Sequence, residues 1–400
     1  MVIVLLLLVI AGLWWVNIQF AKNNPGGNDF LVHYIGTRSF LFDGISPYSD
    51  EVALKIQVAA YGHPAEGIEH ELRVAYPLYS IFLFAPFSLI GDYQIARAVW
   101  MTVLELALVI MTFVSLQLVE WKPPLWMQGS LLLFSLIWYH AARGVINGNA
   151  VILLALALVS VLLFIKRGEE RIAGILLALT TIKPHLVVLV IAFILLWAVY
   201  HKRWQLLYWF SGTMVLLVVA GLILIPDWIT QNLREVFRYP GYNPAGTLAS
   251  ALGEWLPGIA TQLKYGIGAF LGMLLVFEFW QARKGGFNHL VWTGLFTITV
   301  SQWIGIQTDP GNFILLFPAL VLILAVINQK WEQQGGLATA IILSVVLVGL
   351  WGLFIATLQR SYQPVQGSVM FLPFPAFCVI GLYWIKWWFI RSKPLLWNEF

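Results

Sequence analysis

Residues 1–20 read MVIVLLLLVIAGLWWVNIQF, a stretch that is almost entirely apolar. A helix needs about 20 such residues to cross the hydrocarbon core of a membrane. The segment lacks the charged beginning and the small-residue cleavage site of a signal peptide. We therefore expect residues 1–20 to form a first membrane span that is retained.

Similar apolar runs continue along the whole chain. The sequence is 60% hydrophobic and 10% charged, whereas a soluble domain is about 25% charged. None of the runs alternates with the period of two that outer-membrane strands show. The pattern predicts an all-α, polytopic transmembrane bundle, a single domain over residues 1–400. The length needed for a span gives about twelve of them, at residues 1–20, 95–119, 125–140, 150–165, 171–182, 184–200, 204–225, 262–281, 288–304, 312–328, 337–357 and 371–390.

The positions of basic residues predict the orientation of these spans. Short loops rich in lysine and arginine stay cytoplasmic. If residues 76–90, which contain Pro77 and Pro86, lie in the interface without crossing, the basic loops fall on one side of the membrane. Both termini are then cytoplasmic in the plasma membrane, and the long polar segments 21–94 and 226–260 lie outside. The basic groups are Lys122, 166–171, 201–203, Arg283, Lys284, Lys330, Lys386, Arg391 and Lys393.

Several classes of function lack their sequence signatures. The net charge of +4 and the absence of a basic block do not suggest nucleic acid. There is no Gly-x-x-x-x-Gly-Lys phosphate loop, and the seven histidines lack zinc-like spacing. No aspartate is followed two residues later by another, so the metal-binding Asp-x-Asp of nucleotide-sugar enzymes is missing. We expect no metal and no cofactor, and a lipid-monophosphate sugar donor is weakly favoured.

Asp29 follows directly where the first span leaves the membrane. A carboxylate at the membrane surface can take a proton from an acceptor hydroxyl as that hydroxyl attacks a sugar carbon. An aspartate that only caps a helix or turns a loop is the alternative, and the residue alone does not decide between them.

Two cationic positions interrupt apolar stretches in the predicted membrane. Arg143 precedes Asn147, and Lys183 stands before Pro184, which breaks the helix because it has no N–H donor. Charges at such depth are costly and mark functional sites unless they snorkel to the interface. For Lys183, beside His185, the sequence favours a role in neutralising a phosphate leaving group.

Asp309 precedes a proline between two predicted outer helix ends. A turn residue is the favoured interpretation, and contact with an acceptor sugar is the alternative.

Short motifs in the first half of the chain resemble glycosyltransferase family 87. They are Asn28-Asp29-Phe30, Tyr34, the stretch Leu41-Phe42-Asp43-Gly44-Ile45-Ser46-Pro47-Tyr48, then Tyr76-Pro77-Leu78, and Ala173-Gly174 leading to Lys183-Pro184. Each motif is loose, and their order and spacing carry the resemblance, which covers about residues 21–200. The members of this family are polyprenyl-phosphate-sugar-dependent membrane enzymes of the GT-C fold, mycobacterial phosphatidylinositol mannosyltransferases among them.

The resemblance implies roles for particular residues. Asp29 matches the catalytic aspartate of the first outer loop, which carries interfacial helices, and Lys183 and Arg143 stand where the donor phosphate is expected. The family often has Gly-Gln where this chain has Asn147-Gly148-Asn149, so an amide is retained at a shifted position.

Together these observations predict a GT-C membrane glycosyltransferase of the cell envelope. It would move a sugar, with mannose the candidate, from a polyprenyl phosphate to a lipid or glycan acceptor on the outer face, with inversion. Tyr34, Tyr48, Asn147, Asn149 and Asp309 would contact the acceptor or the sugar, and Arg143, Lys183 and His185 the donor phosphate. A transporter or flippase of lipid-linked or anionic substrates is the alternative, and a non-catalytic scaffold is a third possibility.

Overall fold

A computed structural model describes residues 2–67, 69–242, 248–304, 309–331, 333–358 and 367–390. These residues form α-helices and short 3₁₀ helices, and they contain no strand. The α-helices are α1 Val2–Asn23, α2 Asn28–Asp43, α3 Asp50–Tyr61, α4 Ile81–Ser88, α5 Tyr93–Leu118, α6 Leu125–Ile137, α7 Tyr139–Asn147, α8 Val151–Arg167, α9 Glu170–Leu179, α10 Pro184–Tyr200, α11 Trp204–Leu224, α12 Trp228–Tyr242, α13 Leu248–Trp255, α14 Ala260–Ala282, α15 Phe287–Ile304, α16 Phe317–Lys330, α17 Gly335–Thr357 and α18 Pro373–Ile390. The 3₁₀ helices are Leu78–Ser80, Thr180–Ile182, Pro257–Ile259, Pro310–Leu316 and Ser368–Phe371.

The prediction of an all-helical membrane protein is confirmed for the described residues. Six helical stretches are long and apolar enough to cross a membrane, and α6 with α7 could form a seventh, broken span. Other apolar runs form shorter helices, such as α9 with 10 residues and α10 with 17. The count of about twelve spans therefore stays a prediction. The six stretches are Tyr93–Leu118, Trp204–Leu224, Pro257–Ala282, Pro310–Lys330, Gly335–Thr357 and Ser368–Ile390.

The length of the helix in 76–90 agrees with the prediction that this segment does not cross the membrane. Its apolar helical part is Leu78–Ser88. At about 1.5 Å per residue this stretch covers about 16 Å, roughly half the thickness of a hydrocarbon core.

Parts of other predicted segments lie outside the described residues, namely Arg391, Lys393 and positions 243–247.

The chain divides into two compact units. Unit 1 comprises Met1–Leu108, Ala142–Leu154 and Gly212–Pro244. Within it, α2 packs against both α3 and α4. Helix α2 is capped after Asp43 by Gly44, which has a left-handed backbone (φ 67°) and donates its N–H to the Phe40 carbonyl.

Unit 2 comprises Val109–Ala141, Ala155–Ser211 and Ala245–Phe400. Its core is α16, which is buried from Phe317 to Ile327 and packs against α17 and α18. Glu278 of α14 is buried at 1% exposure and is neutralised by Lys386 of α18, with Nζ and Oε2 2.7 Å apart. Such pairing is what a buried charge inside a bundle requires.

Candidate active site

Asp29 lies in the first turn of α2, which begins at Asn28 directly after two glycines with positive φ. The φ angles are 127° at Gly26 and 80° at Gly27. A Cβ atom at Gly27 would lie 2.5 Å from Arg97 Nε and 2.9 Å from Tyr93 Oη, so only glycine fits there. The chain thus turns from α1 into α2 at this point. The half-buried Asp29 carboxyl sits at the N-terminal end of α2, where the helix dipole favours negative charge.

A buried guanidinium holds this turn in place. Arg97 is 1% exposed and donates to two carbonyls, Asn24 O at 2.7 Å and Ile146 O at 3.0 Å. Its Nε atom has no hydrogen-bond partner, and among the described residues no carboxylate pairs with it. Sequence reasoning did not single out Arg97. The available signal was an arginine inside the apolar run 95–119.

The turn between α7 and α8 lies directly against the start of α2. Gly148 has a φ of 73°, and a Cβ atom there would lie 2.5 Å from Phe30 Cβ. Trp100 Nε1 also donates to the Gly148 carbonyl at 2.9 Å. Because Phe30 is the residue after the predicted base, the structure brings the turn Asn147-Gly148-Asn149 next to the start of α2.

The predicted polar residues of this turn differ in what they do. Asn149 is buried, and its Oδ1 accepts a hydrogen bond from Val151 N at 3.1 Å, which caps the start of α8. Asn147 is half-buried as the last residue of α7, and Arg143, also half-buried, lies one turn earlier on the same helix. Asn149 therefore has a structural role, whereas Asn147 and Arg143 keep part of their surface open.

His33 and Tyr76 form an aromatic cluster beside Asp29. His33 stands one turn after Asp29 on α2, so both lie on one face of the helix. Its ring centroid is 3.9 Å from that of Tyr76 and 4.5 Å from that of Phe84. Burial raises the pKa of Tyr76 well above its usual value, and the negative charge of Asp29 raises it further. The phenol therefore stays protonated at neutral pH, close enough to feel the Asp29 carboxylate.

The predicted acceptor-binding tyrosines of unit 1 point inward. Tyr34 is 4% exposed, and its hydroxyl donates to the Ile90 carbonyl at 2.8 Å. Tyr48 is 2% exposed, and its hydroxyl donates to the Tyr76 carbonyl at 2.7 Å. These bonds give both tyrosines a positioning role, and direct contact with an acceptor stays a prediction without support from their geometry.

Lys183 occupies the helix break that the sequence predicted, within unit 2. Thr180 and Thr181 donate their hydroxyls to the carbonyls of Leu177 and Ala178, both at 2.6 Å, and tighten the end of α9 into a 3₁₀ turn. Pro184 then begins α10. Lys183 is 8% exposed, and its Nζ donates to Asn312 Oδ1 at 3.3 Å.

Asp309 caps the turn that carries Asn312. Its Oδ1 accepts from Gly311 N at 2.6 Å, at the start of the 3₁₀ helix Pro310–Leu316. This contact fits the turn interpretation, and the acceptor contact stays a prediction. His185 is half-buried in the first turn of α10. The structure thus brings Lys183 together with the 309–312 turn, and sequence reasoning missed Asn312 as a site residue because only the fold pairs positions so far apart.

Comparison with known proteins gives one finding. The model of glycosyltransferase family 87 matches residues 75–302, more than half of the chain. The matched range contains Arg143, Asn147, Asn149, Lys183 and His185, and it reaches further along the chain than the resemblance in the motifs. It begins after the segment that holds Asp29. No curated protein and no solved structure matches the chain.

Proposed function

Because the chain belongs to glycosyltransferase family 87, and is therefore a membrane glycosyltransferase, we propose that its sugar donor is a polyprenyl phosphate. The acceptor is a hydroxyl of a lipid or glycan on the outer face of the plasma membrane, and mannose is the first sugar to test. Nothing in the family match supports the alternative of a transporter or flippase.

The proposed reaction is a single displacement with Asp29 as the base. The acceptor oxygen attacks the anomeric carbon, and its proton passes to the Asp29 carboxylate. The bond between the anomeric carbon and the phosphate oxygen breaks, and that oxygen takes the electron pair. One glycosidic bond replaces one phosphoester bond, with inversion at the carbon.

The observation that carries this proposal is the contact between Phe30 and Gly148. It sets the helix turn with Asp29 against the turn with Asn147, although more than a hundred residues separate them in sequence. The Tyr76 phenol, which stays protonated, adds a hydroxyl group near the Asp29 carboxylate.

The departing phosphate requires cations, and we assign Arg143, Lys183 and His185 to it. Arg143 presents a planar fork of donors that matches phosphate oxygens. Lys183 is a buried ammonium that donates to Asn312 Oδ1, and positive charge held in a site with little water stabilises developing negative charge strongly. Contact with the acceptor or the sugar stays a prediction from the sequence for Tyr34, Tyr48, Asn147, Asn149 and Asp309, and all of these but Asn147 have the hydrogen bonds within the protein described above.

The test is transfer of radiolabelled sugar by the purified full chain in liposomes. Donors would be polyprenyl-phosphate mannose, polyprenyl-phosphate glucose and the corresponding nucleotide sugars, with membrane lipid and glycan extracts as acceptors. Asp29→Asn removes the base without changing shape, and we expect transfer to fall by about 10²–10⁴-fold, the usual contribution of general base catalysis. Asp43→Asn is the matched control, because Asp43 ends the same helix and pairs with Lys55 on the surface.

The outcomes separate the parts of the proposal. Full transfer by folded Asp29→Asn would remove Asp29 as the base. Transfer only from nucleotide sugars would replace the donor class. Lys183→Ala and Arg143→Ala should each slow transfer without abolishing it, and rescue of either variant by adding the missing charge as guanidinium or alkylammonium would support contact with the phosphate.

A further inference from the structure

Helix α12 in unit 1 has its polar and apolar faces reversed relative to a helix of a soluble protein. Asn232 and Glu235 are buried, at 8% and 0% exposure. Leu233 is 48% exposed and Phe237 is 79% exposed. A surface helix normally turns its apolar stripe toward the core, so the exposed side of α12 needs another apolar partner.

The buried side of α12 is fixed by specific polar bonds. Glu235 Oε2 accepts from Arg73 Nε at 2.6 Å, and both side chains are buried. Asn232 Nδ2 donates to the carbonyls of Ala75 and Tyr76, at 3.0 and 3.1 Å. Because these bonds point in fixed directions, the helix cannot roll to hide its apolar side.

The exposed side separates into an apolar sector and a basic sector. At about 100° per residue, the apolar sector covers roughly a quarter of the circumference. Arg234 and Arg238 lie on the other exposed side, where Arg234 donates to Tyr48 O at 3.3 Å and Arg238 pairs with Glu71 at 2.8 Å. The apolar sector, termed the α12 outer stripe, consists of Ile229, Leu233, Val236 and Phe237.

The start of α12 lies at the end of a membrane span. Helix α11 is long and apolar enough to cross, and it ends at Leu224, only four residues before Trp228. Trp228 packs against α11 so closely that a Cβ atom at Gly221 would lie 2.6 Å from the Trp228 Nε1 atom. On its other side Trp228 contacts Tyr79, at 5.9 Å between rings. One turn further on, Phe82 of α4 is 51% exposed.

We propose that α12 is a membrane-surface helix whose outer stripe inserts into the lipid of the leaflet where α11 ends. The partner is the acyl-chain border of the bilayer, because the stripe is uncharged and begins at a span end. The arginines already hold protein partners and stay on the aqueous side. An interfacial helix of this kind buries its apolar face by about 5–10 Å.

The test measures depth and requires no enzyme activity. Cys378 is the single cysteine and is buried, so Cys378→Ser gives a background for single labels. A nitroxide is placed at Phe237→Cys or Leu233→Cys in the full chain, in liposomes of phosphatidylcholine and phosphatidylglycerol. The matched control is Arg234→Cys on the same helix. Collisions with oxygen and with a water-soluble nickel complex report depth.

We expect labels at 233 and 237 to lie about 5–10 Å deeper than the label at 234, within the depth of an interfacial helix. Equal exposure of all three to the nickel complex would overturn the proposal. Strong immobilisation of the 237 label without contact with lipid would overturn it too, in favour of a covering protein surface. The depths of the labels do not depend on whether the chain transfers sugar from the proposed donor.

Discussion

Unit 1 contains two buried arginines with opposite surroundings. Arg73 bonds to two carboxylates, those of the buried Glu235 and the exposed Asp50. Arg97 bonds to two backbone carbonyls and lies over the Phe20 ring, at 5.7 Å from the ring centroid. The first arrangement cancels the charge, and the second keeps it.

This difference indicates two uses of the same side chain. The ion-pair cluster around Arg73 is a structural attachment that holds α12 onto the 69–76 loop. Arg97 retains its positive charge beside the glycine turn that leads to Asp29, with helix C-terminal carbonyls as partners. Its two bonds to backbone carbonyls hold the turn that positions Asp29.

The largest expected effect comes from removing the buried carboxylate that pairs with Arg73. Glu235→Gln leaves a buried guanidinium without its buried counter-charge, and breaking such a pair costs about 3–5 kcal/mol. Thermal unfolding in detergent would show a large drop in the midpoint. The double variant Arg73→Met with Glu235→Leu should recover most of the stability, because removal of both charges leaves no unpaired buried ion, and Asp50, which also loses its partner, is exposed to water. If the double variant were no more stable than Glu235→Gln, the cluster would not act as a charge pair.

The next largest effect comes from the contact between Gly148 and Phe30. Gly148→Ala introduces a Cβ atom 2.5 Å from Phe30 Cβ at a φ of 73°. Left-handed strain costs about 1–2 kcal/mol, and overpacking adds about 1–3 kcal/mol. Gly168→Ala is the matched control, since its φ is 78° and nothing lies within 4 Å of the new Cβ atom. Gly148→Ala should be the less stable variant and should also transfer more slowly, and equal midpoints would contradict the packing argument.

Arg97→Lys keeps the positive charge and removes the planar set of guanidinium N–H donors. A lysine cannot bond both Asn24 O and Ile146 O in the same geometry, and each lost bond to a charged donor costs about 1.5–3 kcal/mol. We expect a lower unfolding midpoint and slower transfer than in Arg167→Lys, which changes an exposed arginine. A transfer rate equal to that of wild type would show that positioning of the turn does not matter.

The smallest expected effect is a dependence of folding stability on pH that arises from His70. Burial lowers the pKa of His70 to about 4, its Nδ1 accepts from Leu72 N, and its ring lies against Tyr239 of α12. Between about pH 6.5, the usual value, and pH 4 the unfolded chain binds a proton that the folded chain excludes, so stability falls as pH falls. Partial exposure limits the change to about 1 kcal/mol. His70→Gln should lose less stability than wild type between pH 7 and pH 5.

The helices were predictable because apolar runs and breaks are local properties of the chain. The break at Lys183-Pro184 follows from proline chemistry, whereas the prediction that 76–90 does not cross the membrane came from the positions of the basic loops. The number of spans stays a prediction, because composition alone does not say whether a 17-residue apolar helix such as α10 crosses the membrane.

The surroundings of the candidate site were less accessible to sequence reasoning. Tyr34 and Tyr48 were expected to meet an acceptor, yet their hydroxyls bond backbone carbonyls. His33 and Arg97 were overlooked because their meaning depends on partners that only folding supplies. Residue type therefore indicated which side chains could take part in chemistry, and tertiary contacts determined which of those side chains stay exposed.

The pairing of Arg73 with Glu235 also has a consequence during synthesis. The partners are 162 residues apart in the chain. Ribosomes add about 5–20 residues per second, so Arg73 emerges roughly 10–30 seconds before the carboxylate that neutralises it. During that interval Arg73 lacks its buried counter-charge, so the 69–76 loop cannot reach its final packing until α12 has been made.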